Sequence, residues 1–416
     1  MFKSIVPRFR KGSVNIPTSK SDGQRSLLAA ALVKGESTLT NLGHSHDELS
    51  MLNTIEQLGA IVNKKNKNTY LIDGIDSFPK SASINIGESG LGIRLITSVC
   101  AANDGKFKIE GKGSLTERPM NFFTETLPQF GVKINSNDNY IPLFVEGPMI
   151  GNKVVIDGSL SSQYLSGLLM ALPLLKEDSE LIVTDLKSIP YVQMTLNTLN
   201  KFGIEIENDS FKHFKIKGNQ IYKPTNYTIE SDWSSASYWL IASAIGMDIE
   251  ITGLQMGSLQ ADKELLNAFL AANCTVINTQ NGLKIEGTKR TPFSFDATHC
   301  PDLFPALAVF AAYCNGTSSI KGVERLKHKE SDRGIVLQKE FQKLGVQIEL
   351  NGDEMLVHGT GKVNGGTIHS NNDHRIAMCF AIAGCFSEDT IIVEQAEAVG
   401  KSYPDFWKDL ETLKLD

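Results

Sequence analysis

The chain has 416 residues, 41% hydrophobic and 21% charged, and 41 basic against 47 acidic side chains give a formal net charge of −6. At roughly 150 residues per domain this length implies two to three domains, and the composition excludes a disordered chain. An acidic balance argues against a general nucleic-acid binder, and no apolar run reaches the roughly 18 residues that cross a bilayer, so neither nucleic acid nor membrane is expected as a partner.

Taken in chain order, two phrases alternate. The first is an apolar helix, a turn and a β-branched strand: LLAAALVKGESTLTN, IRLITSVCAANDGKFKIEG, LSGLLMALPLLKEDSELIVTD, ASYWLIASAIGMDIEITG, FPALAVFAAYCNGTSSIKG and RIAMCFAIAGCFSEDTIIVE. The second is an amphipathic helix that runs into a short strand: MLNTIEQLGAIV, FFTETLPQFGVKI, TLNTLNKFGIEI, LLNAFLAANCTVI and LQKEFQKLGVQIEL, with DFWKDLETLKLD arriving in phase at the end. Gly59, Gly131, Gly203, Asn273 and Gly345 close these helices at spacings of 72, 72, 70 and 72. Gly and Asn tolerate the left-handed conformation just past a helix end.

The apolar helices lack a polar face and should be buried; the amphipathic ones should lie nearer solvent. Six units of about 70 residues therefore fill the chain, each a small α/β unit, and three make a domain of ordinary size. The expected fold class is α/β with two similar domains and the active site in the cleft between them. KGNQIYKPTNYTIE, residues 217–230, is the expected inter-domain crossing.

Polar and charged residues gather just before the apolar helices: Ser19, Lys20, Ser21 and Arg25; Gly90, Gly92 and Arg94; Ser161, Ser162 and Gln163; Asp232, Ser234 and Ser235; Asp302; and Asp373, His374 and Arg375. A helix N-terminus offers free N–H groups and a positive dipole end, so several aimed together would trap anions. For any single Ser or Asp a helix cap is the simpler reading. Lys and Arg oppose the dipole, so capping does not explain Lys20, Arg94 or Arg375.

The amphipathic helices start near Asp47, Arg118, Tyr191, Asp262, Arg333 and Pro404, with Lys329, Glu330 and Lys401 close by. Lys20, Arg25, Arg94, Arg118, Lys329, Arg333, Arg375 and Lys401 would thus face small, multiply anionic ligands, which arginine meets with a bidentate fork. The competing reading is pairing with the protein's own acids. Asp302 and Glu330 are the carboxylates placed for proton transfer, while Asp47, Asp232, Asp332 and Asp373 read as caps or arginine partners.

Other motifs are weak. His44 and His46 with Asp47 read as an exposed loop pair rather than metal ligands. GESGLGIR lacks the ending of a P-loop. The six cysteines form no CxxC pair and are expected reduced and mostly buried. MFKSIVPRFRKGS has no long apolar core ahead of a cleavage site, and a cytoplasmic location is expected.

IPTSKSDGQRSLLAAAL, GSLSSQYLSGLLMALP, HKESDR, NNDHRIAM and GKSYPDF resemble the signature segments of the 5-enolpyruvylshikimate-3-phosphate synthase family, over Ile16 to Phe406. The resemblance implies two domains, each of three βαβαββ units, an inside-out α/β barrel with helices inside and sheets outside. The first would span 18–228, and the second 1–17 with 229–416, its three repeats completed by the N-terminal strand. It implies transfer of the enolpyruvyl group of phosphoenolpyruvate to the 5-hydroxyl of shikimate 3-phosphate, with release of phosphate, no metal and no organic cofactor. It also implies domain closure that excludes water.

By the same resemblance Lys20, Ser21, Arg25, Ser161, Ser162, Gln163, Ser188, Asp302 and Lys329 surround shikimate 3-phosphate. Lys20, Gly90, Arg118, Gln163, Arg333, Arg375 and Lys401 surround phosphoenolpyruvate, and Lys20, Asp302, Glu330 and Lys401 carry the chemistry. Glu88, Leu91, Thr18, Gln24 and Arg325 depart from the family's usual residues. The alternatives are a UDP-N-acetylglucosamine enolpyruvyl transferase, whose reactive Cys is missing from GKGSLTERPM, and a non-catalytic anion-binding module. A monomer is expected.

Overall fold

The computed structural model describes residues 1–415. Its α-helices are, in order, α1 (Lys20–Ala31), α2 (His46–Gln57), α3 (Gly90–Ala102), α4 (Asn121–Thr126), α5 (Ser162–Ala171), α6 (Ile189–Lys201), α7 (Trp233–Ile245), α8 (Leu265–Ala271), α9 (Phe304–Ala312), α10 (Arg333–Lys343), α11 (His374–Gly384) and α12 (Phe406–Thr412). The chain divides into two compact units: Thr18–Glu230, and Met1–Pro17 with everything from Ser231 on. Among the described residues no helix is long and apolar enough to cross a membrane, and all six cysteines are buried and free.

The unit Thr18–Glu230 carries three four-stranded sheets of one pattern. Ser81–Asn85 runs parallel to Lys106–Glu110, which pairs antiparallel with Tyr140–Glu146, itself antiparallel to Lys133–Asn137. Lys153–Asp157, Ser179–Thr184, His213–Ile216 and Ile206–Asp209 repeat the order. In the third sheet the parallel strand ahead of Glu36–Thr40 comes from the far end of the unit, Asn226–Thr228, which closes the cycle. Strands bury alternate residues: Val154 and Ile156 point inward, while Lys153, Val155 and Asp157 are exposed. The apolar helices fill the interior, α3 packing on both α1 and α5, and α3 is buried from Gly90 to Ala101.

The other unit repeats the scheme with one change. Ser294–Asp296, Asn315–Lys321, Glu354–Thr360 and Gln347–Asn351 form a sheet of the same order, and α7, α9 and α11 pack on one another. Arg10–Asn15 lies parallel to Asp248–Thr252 in a five-stranded sheet. The last sheet has three strands, Phe2–Ile5, Ile391–Glu394 and Gly366–His369. Here Phe2–Ile5 takes the antiparallel place that a hairpin strand fills elsewhere, so the sixth repeat is not a full copy.

The recurring helix ends have the conformation their residue type suggests. Gly59, Gly131, Gly203, Asn273 and Gly345 have φ of 111°, 79°, 80°, 59° and 78°. Asn273 tolerates this region and donates its side-chain amide to Thr291 Oγ1 at 3.0 Å.

Two expectations need correction. The second amphipathic helix is short, because α4 passes at Leu127 into a 3-10 turn that contains Pro128. Arg118 caps the end of an earlier 3-10 turn, Gly113–Glu117, and lies ahead of α4 instead of opening it. Residues 217–230 belong to the first unit: Asn226–Thr228 is a sheet strand, Ile229 is buried, and the contact boundary falls after Glu230.

Ser45 and Glu48 form a reciprocal capping box on α2, with Glu48 also accepting the Gly43 N–H at 3.2 Å. Ser45→Ala should cost about 1 kcal/mol in a denaturant titration.

Candidate active site

In the unit Thr18–Glu230 the candidate residues sit on the first turns of α1, α3 and α5. Ser19 caps α1, Ser89 caps α3 and Ser161 caps α5, each accepting an N–H of its own helix. Ser89 also donates to Gln24 Oε1 at 2.6 Å, which ties the starts of α3 and α1 together. Lys20 opens α1 and pairs with Asp47 Oδ2 at 2.9 Å. Ser21 is half-buried beside it, Ser162 is buried at the start of α5, and Ser188 is buried in the left-handed conformation that opens α6.

Arg25 is fully buried and donates to neutral oxygens: Thr195 Oγ1 at 2.8 Å, Ser21 O at 2.8 Å, Tyr191 O at 3.3 Å and Ser166 Oγ at 3.4 Å. Burial pushes its pKa down to about 10, with Asp22 opposing, so it stays charged at neutral pH. Arg94 donates to Gly90 O at 3.1 Å and Gln163 Oε1 at 2.6 Å, with its guanidinium 4.7 Å above the Tyr164 ring. Its Nε is buried without a hydrogen-bond partner. Gly90 lies against two cations: a Cβ there would collide with the Arg118 guanidinium and come within 3.3 Å of Arg94 Nη1. The Glu88 carboxylate rests against Gly113, at the start of the turn that leads to Arg118.

In the other unit one carboxylate gathers three cations. Asp302, in the 3-10 turn ahead of α9, contacts Arg333 Nη1 at 2.8 Å, Arg375 Nη2 at 3.0 Å and Lys329 Nζ at 3.2 Å. Burial pushes the Asp302 carboxyl up, but Arg375, Lys329 and Arg333 outweigh it and hold it well below the usual carboxylate range. Burial lowers the Lys329 pKa against the pull of Asp302.

Arg333 opens α10 and is 1% exposed; it donates to Asp373 Oδ2 at 2.8 Å and Glu330 Oε2 at 2.6 Å as well as to Asp302. Asp373 also caps α11, next to Arg375. Lys401, at the end of a 3-10 turn, donates to Asn372 O at 2.6 Å.

The expected crowd of cations without protein acids therefore holds only in part. Arg25 and Arg94 make the neutral contacts described above, whereas Lys20, Lys329, Arg333 and Arg375 touch Asp47, Asp302, Glu330 or Asp373. For Arg333 the carboxylates of Asp302, Glu330 and Asp373 supply countercharge that offsets burying the guanidinium, whereas Arg25, equally buried, is held by neutral oxygens. Arg94 is not a helix-start cation either; it is the fifth residue of α3 and reaches back to Gly90 O.

Sequence reading missed Ser166, Thr195 and the Tyr191 carbonyl as the cradle of Arg25. Ser166, a hydroxyl inside the apolar run of α5, was the available signal. Asp232 and Asp332 are helix caps, as expected. Among the described residues no group of three or more His, Cys, Asp or Glu gathers as a metal site.

The sequence model of EPSP synthase (3-phosphoshikimate 1-carboxyvinyltransferase) matches residues 8–410. The chain belongs to the EPSP synthase family. It is 37% identical over 413 residues to the 3-phosphoshikimate 1-carboxyvinyltransferase of Clostridium perfringens (strain SM101 / Type A), covering 98% of this chain and 97% of that protein. It is 36% identical over 423 residues to the protein of that name from Clostridioides difficile (strain 630), covering 98% and 96%.

Among solved structures, EPSP synthase from Acinetobacter baumannii superposes with a TM-score of 0.81 at 24% identity, covering 100% of this chain and 98% of that one. The enolpyruvyl transferase NikO from Streptomyces tendae gives 0.79 at 16%, covering 99% and 97%. The fold is the two-domain inside-out α/β fold of EPSP synthases, as the repeats and the resemblance implied.

Proposed function

We propose that this member of the EPSP synthase family transfers the enolpyruvyl group of phosphoenolpyruvate to the 5-hydroxyl of shikimate 3-phosphate, releasing phosphate. The observation that carries the reading is Asp302 ringed by Lys329, Arg333 and Arg375, with Glu330 on the same Arg333. Both side-chain clusters serve this one pair of substrates. Arg25, Ser21, Ser161, Ser162, Ser188 and Lys329 hold shikimate 3-phosphate, and Gly90, Arg118, Arg333 and Arg375 hold phosphoenolpyruvate. Lys20 and Gln163 serve both.

With its cations unneutralised, Asp302 is a weak base. Two polyanionic substrates oppose the fields of Arg375, Lys329 and Arg333, so binding raises its basicity. Asp302, helped by Lys20, then takes the 5-hydroxyl proton as the oxygen attacks C2 of phosphoenolpyruvate. Glu330 delivers a proton to C3, giving a tetrahedral intermediate. The Glu330 carboxylate then takes a proton back from C3, which restores the double bond as phosphate leaves, its charge borne by Lys20, Lys401 and the arginines.

The test is phosphate release on mixing the protein with both substrates. Release should vanish when a UDP-sugar replaces shikimate 3-phosphate; binding of both substrates without turnover would reject the reading.

Gly90→Ala gives a sharper check on the donor side. The added methyl displaces the Arg118 guanidinium, so KM for phosphoenolpyruvate should rise about tenfold while kcat changes less. An unchanged KM would separate Gly90 and Arg118 from the donor.

A further inference from the structure

Asp22 lies on the first turn of α1 next to Lys20 and Ser21, and it is 3% exposed. An acidic residue at this position ordinarily complements the helix dipole. Here both carboxylate oxygens face another segment. Oδ1 accepts the Tyr227 hydroxyl at 2.7 Å and Oδ2 accepts the Glu230 N–H at 3.1 Å. Ser19 N–H donates to Glu230 O at 2.7 Å, so the helix start and the last residue of the unit are joined by contacts in both directions. Residues 226–230 are also held by the Glu36–Thr40 strand, by Asn41 Nδ2 on Ile229 O at 2.8 Å, and by Tyr227 stacked on Phe202 at 5.8 Å. After Glu230 the chain leaves the unit.

We propose that Asp22 is a positioning residue, whose carboxylate clamps the exit segment 226–230 to the first turn of α1 and so fixes Lys20 and Ser21 for the phosphorylated substrates. The inference rests on the proposed function for what Lys20 and Ser21 do, but not for the clamp itself.

The charged and titratable groups that face Asp22 are Tyr227 and Glu230 on the exit segment and Arg25 on its own helix. Lys20 is engaged by Asp47, and Glu48 by Ser45. Burial, opposed by Tyr227 and the Glu230 N–H, raises the Asp22 pKa to about 6, so the carboxylate is ionised at neutral pH and protonated in mild acid.

Asparagine would keep one acceptor but turn an N–H towards the Glu230 N–H or the Tyr227 hydroxyl. Steady-state phosphate release is to be measured for wild type, Asp22→Asn, Tyr227→Phe and the double variant, from about pH 5 to about pH 8. Above neutrality Asp22→Asn should lower kcat/KM for shikimate 3-phosphate about tenfold, Tyr227→Phe less, and the double variant no more than Asp22→Asn. The wild-type advantage should shrink as pH falls through about 6, because the charged acceptor is lost. The substrates' own phosphate ionisation is common to both proteins and cancels in the ratio.

A ratio of one at every pH would overturn the clamp, and if Asp22→Asn does not fold, Tyr227→Phe carries the same comparison. A wild type that releases no phosphate would sink the proposed function instead. Hydrogen exchange at the Glu230 amide then decides the clamp: about tenfold faster in Asp22→Asn supports it, and unchanged exchange overturns it.

Discussion

Replacing Lys20 with alanine is expected to lower turnover by about 10³-fold while leaving the protein folded. Lys20 is the first residue of α1, where the helix dipole disfavours a cation, so the helix itself gains nothing from it. Its Nζ is held 2.9 Å from Asp47, and the side chain is 14% exposed. On the proposed function, removing the amine takes away a positive charge fixed in advance for the leaving phosphate, and it also uncovers the Asp47 carboxylate, which would repel that phosphate. The two losses can be separated. Lys20→Ala with Asp47→Ala should recover part of the lost substrate affinity but not the turnover, because the repulsion is gone and the donor is still missing. Asp47 lies in the first turn of α2, where a lone carboxylate is tolerated, so thermal unfolding of Lys20→Ala should stay near that of wild type. Phosphate-release kinetics and circular dichroism melts read both halves, and a variant with normal turnover and saturation would remove Lys20 from the site.

Much of the fold could be read from spacing because the repeat is written in residues with strong local preferences. Gly59, Gly131, Gly203, Asn273 and Gly345 stand where the backbone turns left-handed, and an apolar helix such as that around Ile93–Ala101 is buried whatever surrounds it. The sixth repeat is completed by Phe2–Ile5 from the other end of the chain, the N-terminal strand expected to complete the second domain. In the site, helix starts were legible and pairings were not. Asp373 and Arg333 are 40 residues apart, and Asp302 and Arg375 are 73 apart. No local pattern tells an arginine which acid it will meet over such separations. The sequence also could not tell a cation on a helix start from one on a nearby turn, as Arg118 is, or from one a full turn along, as Arg94 is.

Asp302→Asn is expected to separate the electrostatic role of this carboxylate from its chemical one. Turnover should drop about 10²- to 10⁴-fold, the range for losing a general base. Binding of inorganic phosphate should move the other way and tighten, because Lys329, Arg333 and Arg375 lose the anion they share. For the same reason the ligand-free variant should be less stable, and added phosphate should restore more stability to it than to wild type.

The pH dependence carries a sign. Asp302 is held well below its usual range in the folded protein, so its stabilising contribution is present above about pH 4, the unfolded value, and is lost as pH falls towards the folded one. Asp302→Asn should therefore flatten the acid limb of the stability curve. Calorimetric phosphate titration with melts across that range gives both readings. If the variant bound phosphate more weakly than wild type, the three cations would not be acting as one anion site around Asp302, and the role assigned to that carboxylate would fail with it.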